Sequence, residues 1–158
     1  MSKPIYGGTL TTPMNISREI QTVNRLKYYG DADIVPSDAA LFAFTTDDTT
    51  MTAQIAAKST EISGDIVIPY DYAANGKTYK VVAIAYRGFQ DCTGITKITI
   101  PKGVATGHAC FLNTKITSIV IPDGITQLPI NTFYQCSELA EITILTVLGI
   151  VISASSEH

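Results

Sequence analysis

The recurrence of Ile-x-Ile-Pro constrains this chain more than any other feature. It occurs at Ile66–Pro69, Ile98–Pro101 and Ile119–Pro122, and again without its proline at Ile142–Leu145. A second motif keeps step with it: Phe89-Gln-Asp-Cys92, Phe111-Leu-Asn-Thr114 and Phe133-Tyr-Gln-Cys136 follow one another at 22-residue spacing. A third, Val81-x-x-Ile84 ahead of Phe89, aligns without gaps on Ile125-x-x-Leu128 ahead of Phe133. The middle repeat is one residue shorter and is anchored by Val104 and Phe111.

Each motif has a physical job. In a strand, alternate side chains share a face, so the two isoleucines point one way and the residue between them the other. Proline then ends the strand, having no N–H for a ladder. Phe and Cys three apart fall on one side of a helical or 3-10 turn. A single coil of this kind cannot bury its apolar face, whereas stacked neighbours can. The expected structural core is therefore Phe89, Cys92, Phe111, Phe133 and Cys136. Truncating any of the three phenylalanines should cost ~3–5 kcal/mol.

These residues resemble the BspA-like branch of leucine-rich repeats, with its pattern Ile-Pro-x-x-Val-x-x-Ile-x-x-x-Ala-Phe-x-x-Cys-x-x-Leu-x-x-Ile. The resemblance covers about half the chain. It departs at Thr114, where cysteine is expected, at Leu145, where proline is expected, and at Gly88, Cys110 and Thr132 before the phenylalanines. It implies a right-handed solenoid used for adhesion or surface recognition, with no catalytic residues to carry over. The expected fold is mainly β with a minor α component. Residues 66–158 would form the repeats, 41–65 a β-hairpin cap, and 1–40 an N-terminal arm with an amphipathic attachment helix.

Local signals fill in that scheme. Asn75-Gly76 between alternating segments is a hairpin signal, pairing Ile66–Ala73 with Lys77–Ile84. Leu41–Phe44 and Met51–Ala57 flank Thr45–Asp48 and read as another hairpin, capping the apolar end of the stack. Ile16, Ile20, Val23 and Leu26 share one helical face, with Asn15 as the cap and Gly30 as the stop; a helix this short needs something to dock on. The opening Lys-Pro-Ile-Tyr-Gly-Gly-Thr to Thr-Pro, followed by a short helix and a repeat array, is similar over about the first 30 residues to N-termini of phage tail or virion-attached proteins. Past Leu145 the register places Leu148 and Val151 where Ile125 and Leu128 stand, and the chain stops at His158 before the next phenylalanine. The expectation is a piece of a longer array.

Composition excludes several classes. With 46% hydrophobic and 16% charged residues the chain does not read as disordered. A net charge of −3 offers no grip on a phosphate backbone. The opening residues lack a signal-type apolar run, and Ile142–Ala154 is shorter than the ~20 residues a bilayer requires. Three cysteines, an odd number, read as buried free thiols.

The candidate binding face is the outward row of the repeat strands: Asp65, Val67, Lys97, Thr99, Ser118, Val120, Glu141 and Thr143. Tyr70, Tyr72, Tyr79 and Tyr86 form a candidate aromatic patch, tyrosine being over-used at interfaces. His108 beside Cys110 reads as structural, because a metal site needs more ligands. The pairs Asp31/Asp33 and Asp47/Asp48 read as turn residues, and the sequon Asn15-Ile-Ser17 as a helix cap. No catalytic residue, cofactor or metal is expected. The expected partners are other virion proteins and a host cell-surface protein or glycan, with no nucleic acid, no membrane insertion and self-association into a homo-oligomer. A virion is the expected location. A bacterial cell-surface adhesin fragment is the alternative, with an enzyme third.

Overall fold

The computed structural model describes residues 13–125, 127–145 and 151–154. In chain order the elements are α1 (Pro13–Tyr29), β1 (Phe42–Asp47), β2 (Thr52–Ala57), β3 (Ser63–Val67), β4 (Asp71–Ala74), β5 (Lys77–Ile84), β6 (Gly94–Thr99), β7 (Ser118–Ile121), β8 (Glu141–Leu145) and β9 (Val151–Ala154). The strands form two sheets, ordered β1-β2-β5-β4 and β3-β6-β7-β8-β9.

The repeated strands build the second sheet. β3, β6, β7 and β8 run parallel, with Ile66, Ile98, Ile119 and Ile142 aligned across the ladder. Both isoleucines of the first three motifs are buried, and the residue between them is only half-buried. Proline follows at positions 69, 101 and 122, each outside a strand.

On the other side of the core the phenylalanines stack. Phe89 and Phe111 have ring centroids 6.0 Å apart, as do Phe111 and Phe133. Main-chain bonds hold the turns in line: Phe89 N–H donates to the Cys110 carbonyl at 2.8 Å and Phe111 N–H to the Thr132 carbonyl at 3.2 Å. Cys92, Thr114 and Cys136 are all buried beneath them. Threonine serves in the cysteine's place because its hydroxyl lies 3.4 Å from Cys136 Sγ, and that thiol donates to the Phe111 carbonyl at 2.9 Å. Phe133 is only partly buried, so its truncation should cost less than that of its two neighbours.

The turns depend on a backbone feature. Arg87, Ala109 and Asn131, two residues before each phenylalanine, have φ between 55° and 63°; Asp91, Asn113 and Gln135, two residues after, have φ between 56° and 64°. Left-handed backbone costs an L-residue roughly 1–2 kcal/mol, least for Asp and Asn. The Asn113 side-chain amide donates to Asp91 Oδ1 at 2.9 Å and so ties one turn to the next.

Several expectations need correction. The strand expected over Ile66–Ala73 is split. Ser63–Val67 joins the repeat sheet, and only Asp71–Ala74 pairs antiparallel with β5. Pro69 makes the break, and Asn75 and Gly76, with φ of 54° and 76°, make the turn. β3 straddles the boundary expected between residues 65 and 66. The β1–β2 hairpin forms as expected; in addition β2 pairs parallel with β5, and Phe42 packs edge-on against Phe89 at 6.2 Å. β9 returns antiparallel along β8, with Leu145 opposite Val151, so Val151 does not continue the repeat register. Leu148 lies outside the described residues.

Helix α1 begins at Pro13, a residue whose missing N–H suits a first turn, so Asn15 falls inside it instead of capping it. Gly30 ends it, with φ of 73° and its N–H bonded to the Leu26 carbonyl at 2.9 Å. The helix docks on the chain through its last turn, with its apolar face turned away. Tyr28 stacks on Tyr70 at 4.6 Å, the Tyr29 hydroxyl donates to the Ile68 carbonyl at 2.6 Å, and the Tyr28 carbonyl accepts from Lys102 N–H at 2.8 Å. Ile20, Val23 and Leu26 are exposed.

Candidate functional site

The parallel ladder turns the repeat into two straight rows. Asp65, Lys97, Ser118 and Glu141 are successive partners across β3, β6, β7 and β8, and so are Val67, Thr99, Val120 and Thr143. At ~4.8 Å per strand spacing the rows run for about 14 Å. Asp65, Lys97 and Glu141 are exposed and Ser118 half-buried, while the second row is half-buried throughout. Its β-branched side chains have little χ1 freedom, so they form a stiff floor beside a row of mobile charges. Thr96 Oγ1 donates to Asp65 Oδ1 at 3.0 Å and steadies the end of the charged row. β3 and β9 are the edge strands of the sheet. Ser37 N–H donates to the Val67 carbonyl at 3.0 Å and its hydroxyl accepts from Val67 N–H at 2.8 Å, while β9 lies along β8. Ser37 thereby satisfies the edge of β3 at Val67.

The four tyrosines do not form one patch. Tyr70 is held against α1 by Tyr28. Tyr72 stacks on Phe44 at 3.9 Å. Tyr79 is buried, and its hydroxyl donates to Asp48 Oδ1. Tyr86 is exposed and lies against His108, with ring centroids 5.6 Å apart, and Arg87 sits over its ring. Tyr72 and Tyr79 are partners across β4 and β5, with ring centroids 6.4 Å apart, while Tyr70 precedes β4 and Tyr86 belongs to the turn before Phe89. The hydrogen bond from Tyr79, and then that from Lys77, holds the Asp48 carboxyl below its ordinary value. Lys77 Nζ lies 2.9 Å from Asp48 Oδ2, so this cluster ties the two hairpin tips together.

The remaining reactive groups are committed to the fold. Burial pushes the Cys110 thiol up to about 12 and the Cys92 thiol up to about 11, the latter raised further by Asp91. Neither offers a thiolate near neutral pH. Asp31 Oδ1 accepts from Asp33 N–H at 2.9 Å and Asp47 Oδ1 from Thr49 N–H at 2.8 Å, both as turn residues. Among the described residues no three His, Cys, Asp or Glu side chains gather as metal ligands. No described helix is long and apolar enough to cross a membrane. Sequence reasoning missed Ser37 and the Tyr28–Tyr29 anchor, which act only once distant segments meet. It also missed the left-handed positions, which Asp91 and Asn113 could have signalled at their 22-residue spacing.

Comparison with known proteins follows this geometry. No curated protein matches the chain. A leucine-rich repeat protein from Bacteroides ovatus overlays with a TM-score of 0.56 at 26% identity, covering 70% of this chain and 29% of its own. The T. pallidum leucine rich repeat protein gives a TM-score of 0.45 at 18% identity, covering 68% of this chain and 49% of its own. A leucine rich cell surface protein from Faecalibacterium prausnitzii A2-165 gives 0.29 at 15% identity, covering 73% and 55%. The chain thus spans less than a third of the length of the Bacteroides ovatus protein. The opening motif expected to be similar to tail proteins lies, over residues 3–12, outside the described residues, and the comparisons do not show that similarity. Over residues 77–154 the chain matches, in six copies, the family described as BspA type leucine rich repeat region.

Proposed function

We propose that this chain is a non-enzymatic recognition module whose repeats stack as a solenoid and whose strand face meets a protein or glycan at a cell surface. The observation that carries this reading is the alignment of eight outward residues into two rows over four parallel strands. A stiff β-branched floor beside exposed Asp65, Lys97 and Glu141 suits a partner that offers both apolar contact and polar groups. The repeat likeness favours a bacterial surface adhesin over a virion-attached protein.

The test is binding of the purified chain to intact bacterial and host cells and to surface protein and glycan arrays. The Lys97→Glu/Glu141→Lys double variant should lose at least about tenfold in affinity, or 1.4 kcal/mol. Thr93→Glu, exposed outside both rows, should bind as the wild type does. Equal binding by the double variant would exclude this face.

A further inference from the structure

Helix α1 meets the rest of the chain with one side only. Asn24, Arg25, Tyr28 and Tyr29 are half-buried, and at 3.6 residues per turn they share a side. Ile20, Val23 and Leu26 lie on the opposite side and are 55%, 63% and 59% exposed. A helix of 17 residues is marginal in water alone. A contiguous apolar stripe pointing away from the body marks a surface that another protein covers.

Among the side chains described, the stripe is symmetric about Val23. Ile20 and Leu26 stand three residues to either side of Val23, and Glu19 and Lys27 four residues to either side. Glu19 and Lys27 are exposed and of opposite charge. Such a pattern complements its own copy. With two helices antiparallel and Val23 on the two-fold axis, Ile20 meets Leu26 of the second copy. Glu19 comes to the level of Lys27 of the second copy, and both relations occur twice. A self-complementary patch is what a two-fold interface between identical chains requires. An unrelated partner would impose no such internal symmetry on the helix.

We infer that α1 is a self-association surface, and that its occupant is a second copy of this chain paired antiparallel about Val23. The inference does not depend on what the sheet face binds. The pairing joins two recognition faces in one particle, which multiplies avidity for a surface displaying many partner molecules.

Light scattering on the full chain tests this, with an expected mass twice the 17.0 kDa of the single chain. Val23→Asp should reduce it to the single-chain mass while the far-UV circular dichroism of the strands is kept. Val23→Cys, close in size to the native residue, should form an interchain disulfide on mild oxidation, because the axis brings the two positions together. Gln21→Cys, exposed on the opposite side of the helix, should not. The three native cysteines are buried and stay out of the exchange. A wild type that runs as a single chain would overturn the inference and assign the stripe to another protein. Equal cross-linking at positions 21 and 23 would overturn it as well.

Discussion

Replacing Phe111 with alanine tests whether the repeats hold one another up. The ring is fully buried, with Phe89 on one side and Phe133 on the other at 6.0 Å each. Removing a buried phenyl costs ~3–5 kcal/mol, with the larger figure where neighbours cannot close the cavity. Here the turn is pinned at both of its peptide groups, Phe111 N–H by the Thr132 carbonyl and the Phe111 carbonyl by Cys136 Sγ. Collapse is therefore restricted, and the expected loss is about 4–5 kcal/mol. Phe133 is partly exposed and, among the described residues, has one ring neighbour. Its truncation should cost about 2 kcal/mol, near the transfer term alone. Urea unfolding followed by far-UV circular dichroism reads both losses, the chain having no tryptophan to report by fluorescence. With a typical domain stability of ~5–15 kcal/mol, Phe111→Ala should unfold at far lower urea than Phe133→Ala. A loss below about 1.5 kcal/mol for Phe111→Ala would refute the mutual support of the coils, because a fully buried ring would then be dispensable. So would equal losses for the two variants.

Gly107→Ala should destabilise by ~1–3 kcal/mol or more, because the new Cβ would collide with the Ile84 carbonyl oxygen. Gly103→Ala meets open space and should cost only its left-handed backbone strain, ~1–2 kcal/mol; the reverse order in urea unfolding would refute the steric account. Gln135→Gly should stabilise by ~0.5–1 kcal/mol, since φ of 60° favours glycine at this exposed turn, and a loss in the same assay would count against it. The thiols of Cys92 and Cys110 titrate at about 11 and about 12 when folded, above the ordinary value of 9.0. The folded state therefore holds those protons longer. Their contribution to stability is complete below pH 9.0 and is lost as pH rises through the 9-to-12 window, so unfolding midpoints should fall between pH 8 and pH 10.5. Both thiols should react with iodoacetamide at pH 8 in urea and resist it when folded; rapid labelling of the folded chain would refute their burial.

What the sequence revealed and what it concealed follow from the range of each interaction. The strands at Ile66, Ile98, Ile119 and Ile142 and the phenylalanine column were legible, because a period repeats the same local requirement and leaves one way to stack it. The Asn75-Gly76 turn was legible for the same local reason, but it dictates pairing only for the few residues beside it. How far the hairpin ran depended on Pro69 and on the pull of β6 for β3, a contact 31 residues away in sequence at Ser63 and Gly94. The side by which α1 docks was not legible. An apolar stripe states that a helix is amphipathic and not which side its own chain will take. Tyr28 and Tyr29 decided that through Tyr70 and the Ile68 carbonyl, 39 residues on from Tyr29. The tyrosines were legible in part: Tyr72 and Tyr79 come together across β4 and β5, whereas Tyr70 is taken by α1 and Tyr86 lies in a later turn.

The two outward rows were legible for a deeper reason than the residues in them. In a parallel ladder, register makes every residue at one repeat position a neighbour of its counterpart in the next repeat. The buried isoleucines and phenylalanines set that register, and the outward residues inherit it without contributing to it. Asp65, Lys97 and Glu141 can then change with little effect on the fold, as exposed positions away from the core usually shift stability by within about 0.5 kcal/mol. Lys97→Glu should accordingly leave the urea midpoint nearly unchanged while altering whatever the face binds. A stack that fixes where side chains stand, but not which ones stand there, separates stability from specificity. That separation makes a repeat sheet a workable recognition surface.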